Sequence, residues 1–186
     1  MQVNFVTGNQ YKFENAARYF NRLEGYDLVQ LDLDTPEIQA DTSEEIAMSS
    51  AIWAAKEKNE PCVKMDVSFH IEALRGFPGP YIKQINKWLT AEDMQRLLGT
   101  EENRRAYFLL SLAIAWPDEQ VESFTHRVDG TLASRKMQTA AGWVIDTLFV
   151  PEGFRKPLSE LEKSQTEKVW GDGPWPQLIN YLESQP

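Results

Sequence analysis

Four groups of residues combine types and spacings suited to chemistry. Thr7-Gly8-Asn9, followed by Lys12, sets a glycine turn just ahead of a lysine. Backbone N–H groups at a helix N-terminus attract phosphate, glycine lets the anion come close, and Lys12 would point back at it. The same residues would equally make an ordinary strand–helix turn with an Asn cap and a solvated lysine. Glu37 and Asp66 are two acids after or at the ends of separate predicted strands. Hard oxygen ligands suit Mg²⁺, which usually takes one or two carboxylates together with substrate phosphates and water. Such a metal would polarise a phosphoryl group and lower the pKa of water. Both acids would also suit a solvated loop, as most acids do.

Pro78-Gly79-Pro80-Tyr81-Ile82-Lys83 makes a stiff loop that launches a helix with Lys83 in its first turn. Lys83 would there either neutralise a phosphate or sit on the surface. Asp146 interrupts the apolar run from Trp143 to Phe149. A carboxylate in that setting is costly unless it is paired, bound to a ligand or exposed at an edge. His70 and His126 lack metal-ligand spacing, and no GxSxG, Walker A or GxGxxG is present. Met48 and Trp53 read as core. Trp170 and Trp175 flank Gly171-Asp172-Gly173 and read as packing residues, with base stacking as the other use of such rings.

The elements that must hold these groups follow from periodicity. Gln2 to Val6 alternates as a strand, and Lys12 to Leu23 carries apolar residues at helical spacing. Asp27 to Leu31 reads as a strand, and Asp32 to Asp41 as a polar loop bearing Glu37. Thr42-Ser43-Glu44-Glu45 is a capping-box signature opening a helix to about Lys58. Pro61 to Met65 reads as a strand with Asp66 near its end. Arg75 to Pro80 is a loop, and a helix starts at Pro80 or Tyr81. Thr90-Ala91-Glu92-Asp93 caps another helix ending near Gly99. Ala106 to Ala115 and Val121 to Asp129 read as paired strands joined by a turn at 116–119. Gly142 to Phe149 reads as a further strand, and Pro157 to Val169 and Pro176 to Leu182 as closing helices. Alternating strands and helices predict an α/β protein. No repeat or linker interrupts the chain, so 1–186 reads as one domain.

Composition bounds the function. The net charge is 19 − 28 = −9, which disfavours nucleic-acid binding. A few lysines focused on a small anionic ligand remain compatible with it. The longest apolar stretch, Tyr107 to Trp116, runs about ten residues against the roughly 20 a membrane helix needs. The N-terminus carries no secretory signature. Cys62 is the single cysteine, which removes an intramolecular disulfide and disfavours a cysteine-built zinc site. The expected location is cytoplasmic.

Phe5-Val6-Thr7-Gly8-Asn9-Gln10-Tyr11-Lys12, Leu33-Asp34-Thr35-Pro36-Glu37-Ile38-Gln39, Met65-Asp66-Val67-Ser68-Phe69 and Ala73-Leu74-Arg75-Gly76-Phe77-Pro78-Gly79-Pro80-Tyr81-Ile82-Lys83 occur in that order. The stretch from Gly142 follows, ending in Phe149-Val150-Pro151-Glu152-Gly153. Together they resemble the inosine triphosphate pyrophosphatase family, whose members hydrolyse ITP, dITP and XTP to monophosphate and pyrophosphate. The first motif resembles that family's TGNxxK opening, and the last its FxPxG segment. The resemblance covers nearly the whole chain.

It implies an elongated mixed sheet flanked by helices, in two lobes with a cleft between them, and a homodimer built around Ala106 to Asp129. It further implies triphosphate-binding positions at Thr7, Gly8, Asn9 and Lys12, and a phosphate-contacting lysine at Lys83. Metal and catalytic acids fall at Glu37 and Asp66, with Mg²⁺ as cofactor, and a substrate-binding aspartate at Asp146. Several positions depart from the pattern. Met65 replaces a second acid, and Ser50 replaces a lysine of the second helix. Trp143-Val144-Ile145 replaces the aromatic-glycine base platform. Trp170-Gly171-Asp172 stands where SHR is expected, and Thr166 where a lysine is, with Lys163 and Lys168 nearby. The expected function is Mg²⁺-dependent pyrophosphate release from a nucleoside triphosphate of altered base preference. The alternative is an inactive relative that binds a nucleotide or a protein.

Overall fold

The computed structural model describes residues 1–133 and 143–185. The chain divides into two compact units. The first comprises Met1–Asp66, Leu110–His126 and Asp172–Pro186; the second comprises Val67–Leu109 and Arg127–Gly171.

Strand β1 (Gln2–Val6) leads into α1 (Gln10–Phe20) and then β2 (Asp27–Leu31). The two strands are parallel, with Val3 opposite Leu28 and Val6 opposite Leu31. Helix α2 (Ser43–Lys58) starts at the expected capping box, where Thr42 and Glu45 bond each other's backbone. It delivers the chain to β3 (Cys62–Ile71), which runs parallel to β1 with Phe5 opposite Val63. Sequence reasoning ends this strand near Asp66. It continues five residues further because Val67, Phe69 and Ile71 alternate with Ser68 and His70, which keeps one face apolar.

β4 (Pro78–Gly79) pairs antiparallel with β3 and precedes α3 (Ile82–Trp88) and α4 (Ala91–Leu98). Tyr81 is the residue before the first turn of α3, and Thr90 with Asp93 forms the cap of α4. β5 (Arg105–Ala115) and β6 (Val121–Leu132) are joined by the expected turn. α5 (Val144–Leu148), β7 (Phe149–Pro151), a 3-10 turn at Leu158–Glu160, α6 (Lys163–Trp170) and α7 (Trp175–Glu183) complete the order. Among the described residues the strands follow the order β2-β1-β3-β5-β6-β7, with β4 added on β3. Parallel and antiparallel pairs both occur, so the α/β class and the mixed sheet agree with expectation.

One expected strand is a helix. Residues 144–148 form α5 and only 149–151 are extended, while Gly142 lies outside the described residues. The β-branched run suggests a strand, yet Ile145 and Leu148, three apart, are the apolar positions of the helix that bury, with Thr147 beside them. Tertiary burial overrides local strand preference here. The helix expected over 157–169 is likewise shorter, with the 3-10 turn preceding α6.

In the first unit the sheet is covered on two sides. Phe5, Val63 and Ile114 pack with Phe20 of α1 and Trp175 and Leu178 of α7. Cys62, Ala113 and Ala115 pack against the alanines of α2, with Met48 and Trp53 beside them. Trp175 meets the Phe5 ring edge-on at 5.1 Å, which is the packing role expected of it. In the second unit Phe69, Phe108 and Phe149 form a cluster of tilted and edge-on rings. Gly130 of β6 permits β7 to approach, since a Cβ there would lie 2.6 Å from the Phe149 ring. Among the described residues no helix is long and apolar enough to cross a membrane.

Candidate active site

The turn after β1 is shaped by its own hydrogen bonds. The Thr7 N–H donates to the Leu31 carbonyl at 3.0 Å and Gln30 Nε2 donates to the Thr7 carbonyl at 3.0 Å. Asn9 caps α1, its Oδ1 accepting from the Lys12 N–H at 3.1 Å, while the Asn9 N–H donates to Thr7 Oγ1 at 3.1 Å. Thr7, Gly8, Asn9 and Lys12 therefore share one turn at the C-terminal end of a parallel strand, where open α/β sheets place ligands. Gly8 is exposed and Lys12 half-buried. A Cβ at Gly8 would lie 3.2 Å from Asp32 Oδ1. Asp32 is thus an acid beside the turn. Sequence reasoning passes over it, although the β1–β2 register, which pairs Val6 with Leu31, carries the signal.

The loop of residues 32–41 carries Glu37. Glu37 is exposed, but Thr35 is buried at 7% exposure. Lys64 Nζ of β3 donates to Thr35 Oγ1 at 2.8 Å, and Ser50 Oγ of α2 meets the Pro36 carbonyl at 3.5 Å. Asp66 lies within β3, half-buried, two residues beyond Lys64. Side chains alternate along a strand, so Lys64 and Asp66 share a face and Met65 takes the other. Met65 packs against the core beneath α1 and α7. Ser50, where the resemblance calls for a lysine, is fully buried.

Glu37 and Asp66 both belong to the first unit. Among the described residues no group of three or more His, Cys, Asp or Glu side chains can hold a metal ion alone. Mg²⁺ keeps waters and takes phosphate oxygens rather than needing a full protein cage, so two carboxylates such as Glu37 and Asp66 would suffice as its protein ligands.

Lys83 and Asp146 belong to the second unit. Lys83 stands exposed in the first turn of α3, as expected. Asp146 is half-buried on α5, and among the described residues no hydrogen bond or ion pair engages its carboxylate. Burial pushes its pKa up to about 6. It is therefore neither a strand-edge acid nor a solvated one. Trp143, just before α5, is half-exposed.

The remaining candidates serve structure. His70 stacks on Tyr107 at 4.7 Å and bonds Ser68 Oγ at 2.8 Å, and burial lowers its pKa. Trp170 meets Phe108 edge-on at 5.2 Å. In the first unit the Tyr19 hydroxyl donates to Asp172, and burial and this bond push the phenol up to about 12. Lys163 and Lys168 are exposed on α6. Trp170 and Asp172, at the expected place of the SHR motif, are thus engaged in packing and bonding.

The sequence profile of the Ham1 family matches residues 3–170. The chain belongs to the Ham1 family. It is 37% identical over 169 residues to the dITP/XTP pyrophosphatase of Thermococcus kodakarensis, covering 91% of this chain and 90% of that one. It is 34% identical to the dITP/XTP pyrophosphatase of Methanopyrus kandleri, covering 91% and 89%. It is 32% identical to the inosine triphosphate pyrophosphatase of Mycosarcoma maydis, covering 88% and 84%. The fold matches the Ham1 protein of Staphylococcus aureus with a TM-score of 0.82 over the whole of both chains, at 24% identity. Family membership agrees with the resemblance drawn from the motifs.

Proposed function

We propose that the protein is a Mg²⁺-dependent nucleoside triphosphate pyrophosphatase, releasing pyrophosphate and a nucleoside monophosphate. Deaminated purine triphosphates, dITP and XTP first, are the leading substrates, because relatives of 34% and 37% identity bear those names. The observation that carries the reading is the Thr7–Lys12 turn, a capped helix start with an exposed glycine and a half-buried lysine, in the same unit as Asp66 and Glu37.

The α1 N-terminus and Lys12 would receive the triphosphate, since both favour negative charge. The resemblance assigns Lys83 of the second unit to phosphate as well. Glu37 and Asp66 would hold Mg²⁺, which supplies Lewis-acid polarisation and a water of lowered pKa. Asp66 would also orient the attacking water through its second oxygen. Rate enhancement then comes from positioning and charge stabilisation rather than a covalent enzyme intermediate. Base selectivity is a separate matter. A site that hydrogen-bonds a base edge discriminates strongly, and loss of those donors relaxes it. Trp170 and Asp172 are engaged elsewhere, so base preference differs from that of a chain bearing SHR. The working form is proposed to be a homodimer around residues 106–129, which sedimentation of the purified protein tests.

The test is product analysis. With Mg²⁺ and dITP or XTP, pyrophosphate and monophosphate should appear in equal amounts. Release of single phosphates would contradict the reaction. A folded protein that binds nucleotide without turnover would favour an inactive relative, for which the core-packed Met65 in place of an acid is the structural motive.

A further inference from the structure

We propose that Lys64 is a positioning residue for the metal-side carboxylates: through Thr35 it holds the loop bearing Glu37 against the strand bearing Asp66. The inference rests on the proposed metal role of those two acids and adds a residue that neither the motifs nor the family resemblance supplies.

A lysine is an unusual choice in the middle of β3. Its neighbours Val63 and Met65 turn into the apolar core with Phe5 and Trp175. Lys64 itself is half-buried, and a half-buried ammonium needs hydrogen-bond acceptors to offset its lost hydration. It shares its strand face with Asp66, and its Nζ lies 2.8 Å from Thr35 Oγ1. Thr35 is the most buried residue of its loop. Asp34, Pro36, Glu37 and Ile38 on either side are all exposed. The loop has no strand or helix of its own over residues 32–41. Its course past β3 therefore depends on side-chain contacts. Leu33 packs against the cluster formed by Cys62 and the alanines of α2. Ser50 meets the Pro36 carbonyl at 3.5 Å, at the limit of a hydrogen bond. The short bond from Lys64 ties Thr35 to β3. Glu37 lies two residues beyond Thr35, and Asp66 two residues beyond Lys64. This bond thus ties together two segments that each carry a proposed ligand.

Charge and position predict opposite outcomes when Lys64 is removed. A bystander cation repels Mg²⁺, so its loss would tighten metal binding. An anchoring cation keeps a ligand in place, so its loss would weaken binding, as changes to groups that orient metal ligands do.

The test compares Lys64→Met, Thr35→Val, the double variant and Lys64→Arg. One readout is the Mg²⁺ concentration giving half-maximal pyrophosphate release from dITP. The other needs no turnover: Mn²⁺ binding followed by electron paramagnetic resonance with inorganic tripolyphosphate present. Lys64→Met and Thr35→Val should each raise both midpoints by about tenfold. The double variant should do no worse than either single one, because both break the same tie. Lys64→Arg should recover most of the loss. Unchanged or tighter metal binding in Lys64→Met, or additive effects in the double variant, would overturn the proposal. If Lys64→Met does not fold, Thr35→Val alone decides by the same criterion. Wild-type turnover with indifferent variants refutes only the role of Lys64. Absence of wild-type turnover refutes the pyrophosphatase reading, and Mn²⁺ binding still judges the anchor.

Discussion

In the first unit Thr7 and Thr35 are fixed by bonds of 3.0 and 2.8 Å to neighbouring strands, and Asn9 caps its own helix at 3.1 Å. In the second, Asp146 sits half-buried on a five-residue helix, its carboxylate unbonded among the described residues and its pKa pushed up by burial. The first arrangement is tied in place by these bonds, so on the proposed function it would meet a bound anion and cation with little rearrangement. The second would leave a carboxyl group able to take a hydrogen bond from a ligand. On the proposed function, the Thr7–Lys12 turn and the loop of residues 32–41 would stand ready in the resting fold, whereas recognition at Asp146 would be completed by what binds there.

The sharpest way to break this contrast is Asp66→Asn. The change is nearly isosteric but removes the charge that would bind Mg²⁺ and orient water. Pyrophosphate release should fall by about a thousandfold with an unchanged unfolding temperature, and full activity would end the assignment of Asp66. Gly8→Ala comes next. Its Cβ would lie 3.2 Å from Asp32 Oδ1, so the acid must shift beside the turn proposed to bind phosphate. KM for the triphosphate should rise by roughly tenfold, with kcat less affected. An unchanged KM would show that the turn does not face the substrate.

Two stability measurements refine the comparison. Asp146 binds its proton more tightly in the fold than in the unfolded chain, because its pKa rises from 3.8 to about 6. That contribution is complete below the unfolded value and is lost as pH rises through about 6. Asp146→Asn, which mimics the neutral acid, should therefore gain on the wild type above that pH, by about 3 kcal/mol at most. The gap should close near the unfolded value, and a pH-independent gap would mean the carboxyl is solvated. The smallest effect is expected of Thr42→Ala. It removes the capping bond to the Glu45 N–H, so stability should drop by about 1 kcal/mol while kcat/KM stays near wild type.

The elements most legible in the sequence were those with local signals. β1 and β2 keep their expected limits, and the caps Thr42/Glu45 and Thr90/Asp93 are written in adjacent residues. The turn at Thr7–Lys12 is equally local. What escaped depends on distant partners. Residues 144–148 carry strand-forming side chains, yet packing of Ile145 and Leu148 selects a helix. Asp32 comes beside Gly8 only through the parallel register of β1 and β2. Lys64 looks like one more charged residue until Thr35, 29 positions away, is brought onto its ammonium.

The most direct test of the central claim is kcat/KM for pyrophosphate release across dITP, XTP and the standard ribo- and deoxyribonucleoside triphosphates, with and without Mg²⁺. The account predicts Mg²⁺-dependent turnover that keeps one catalytic end while spreading across bases more evenly than a site built to hydrogen-bond one base edge. Turnover without Mg²⁺, or silence with every base from a folded protein, would contradict it.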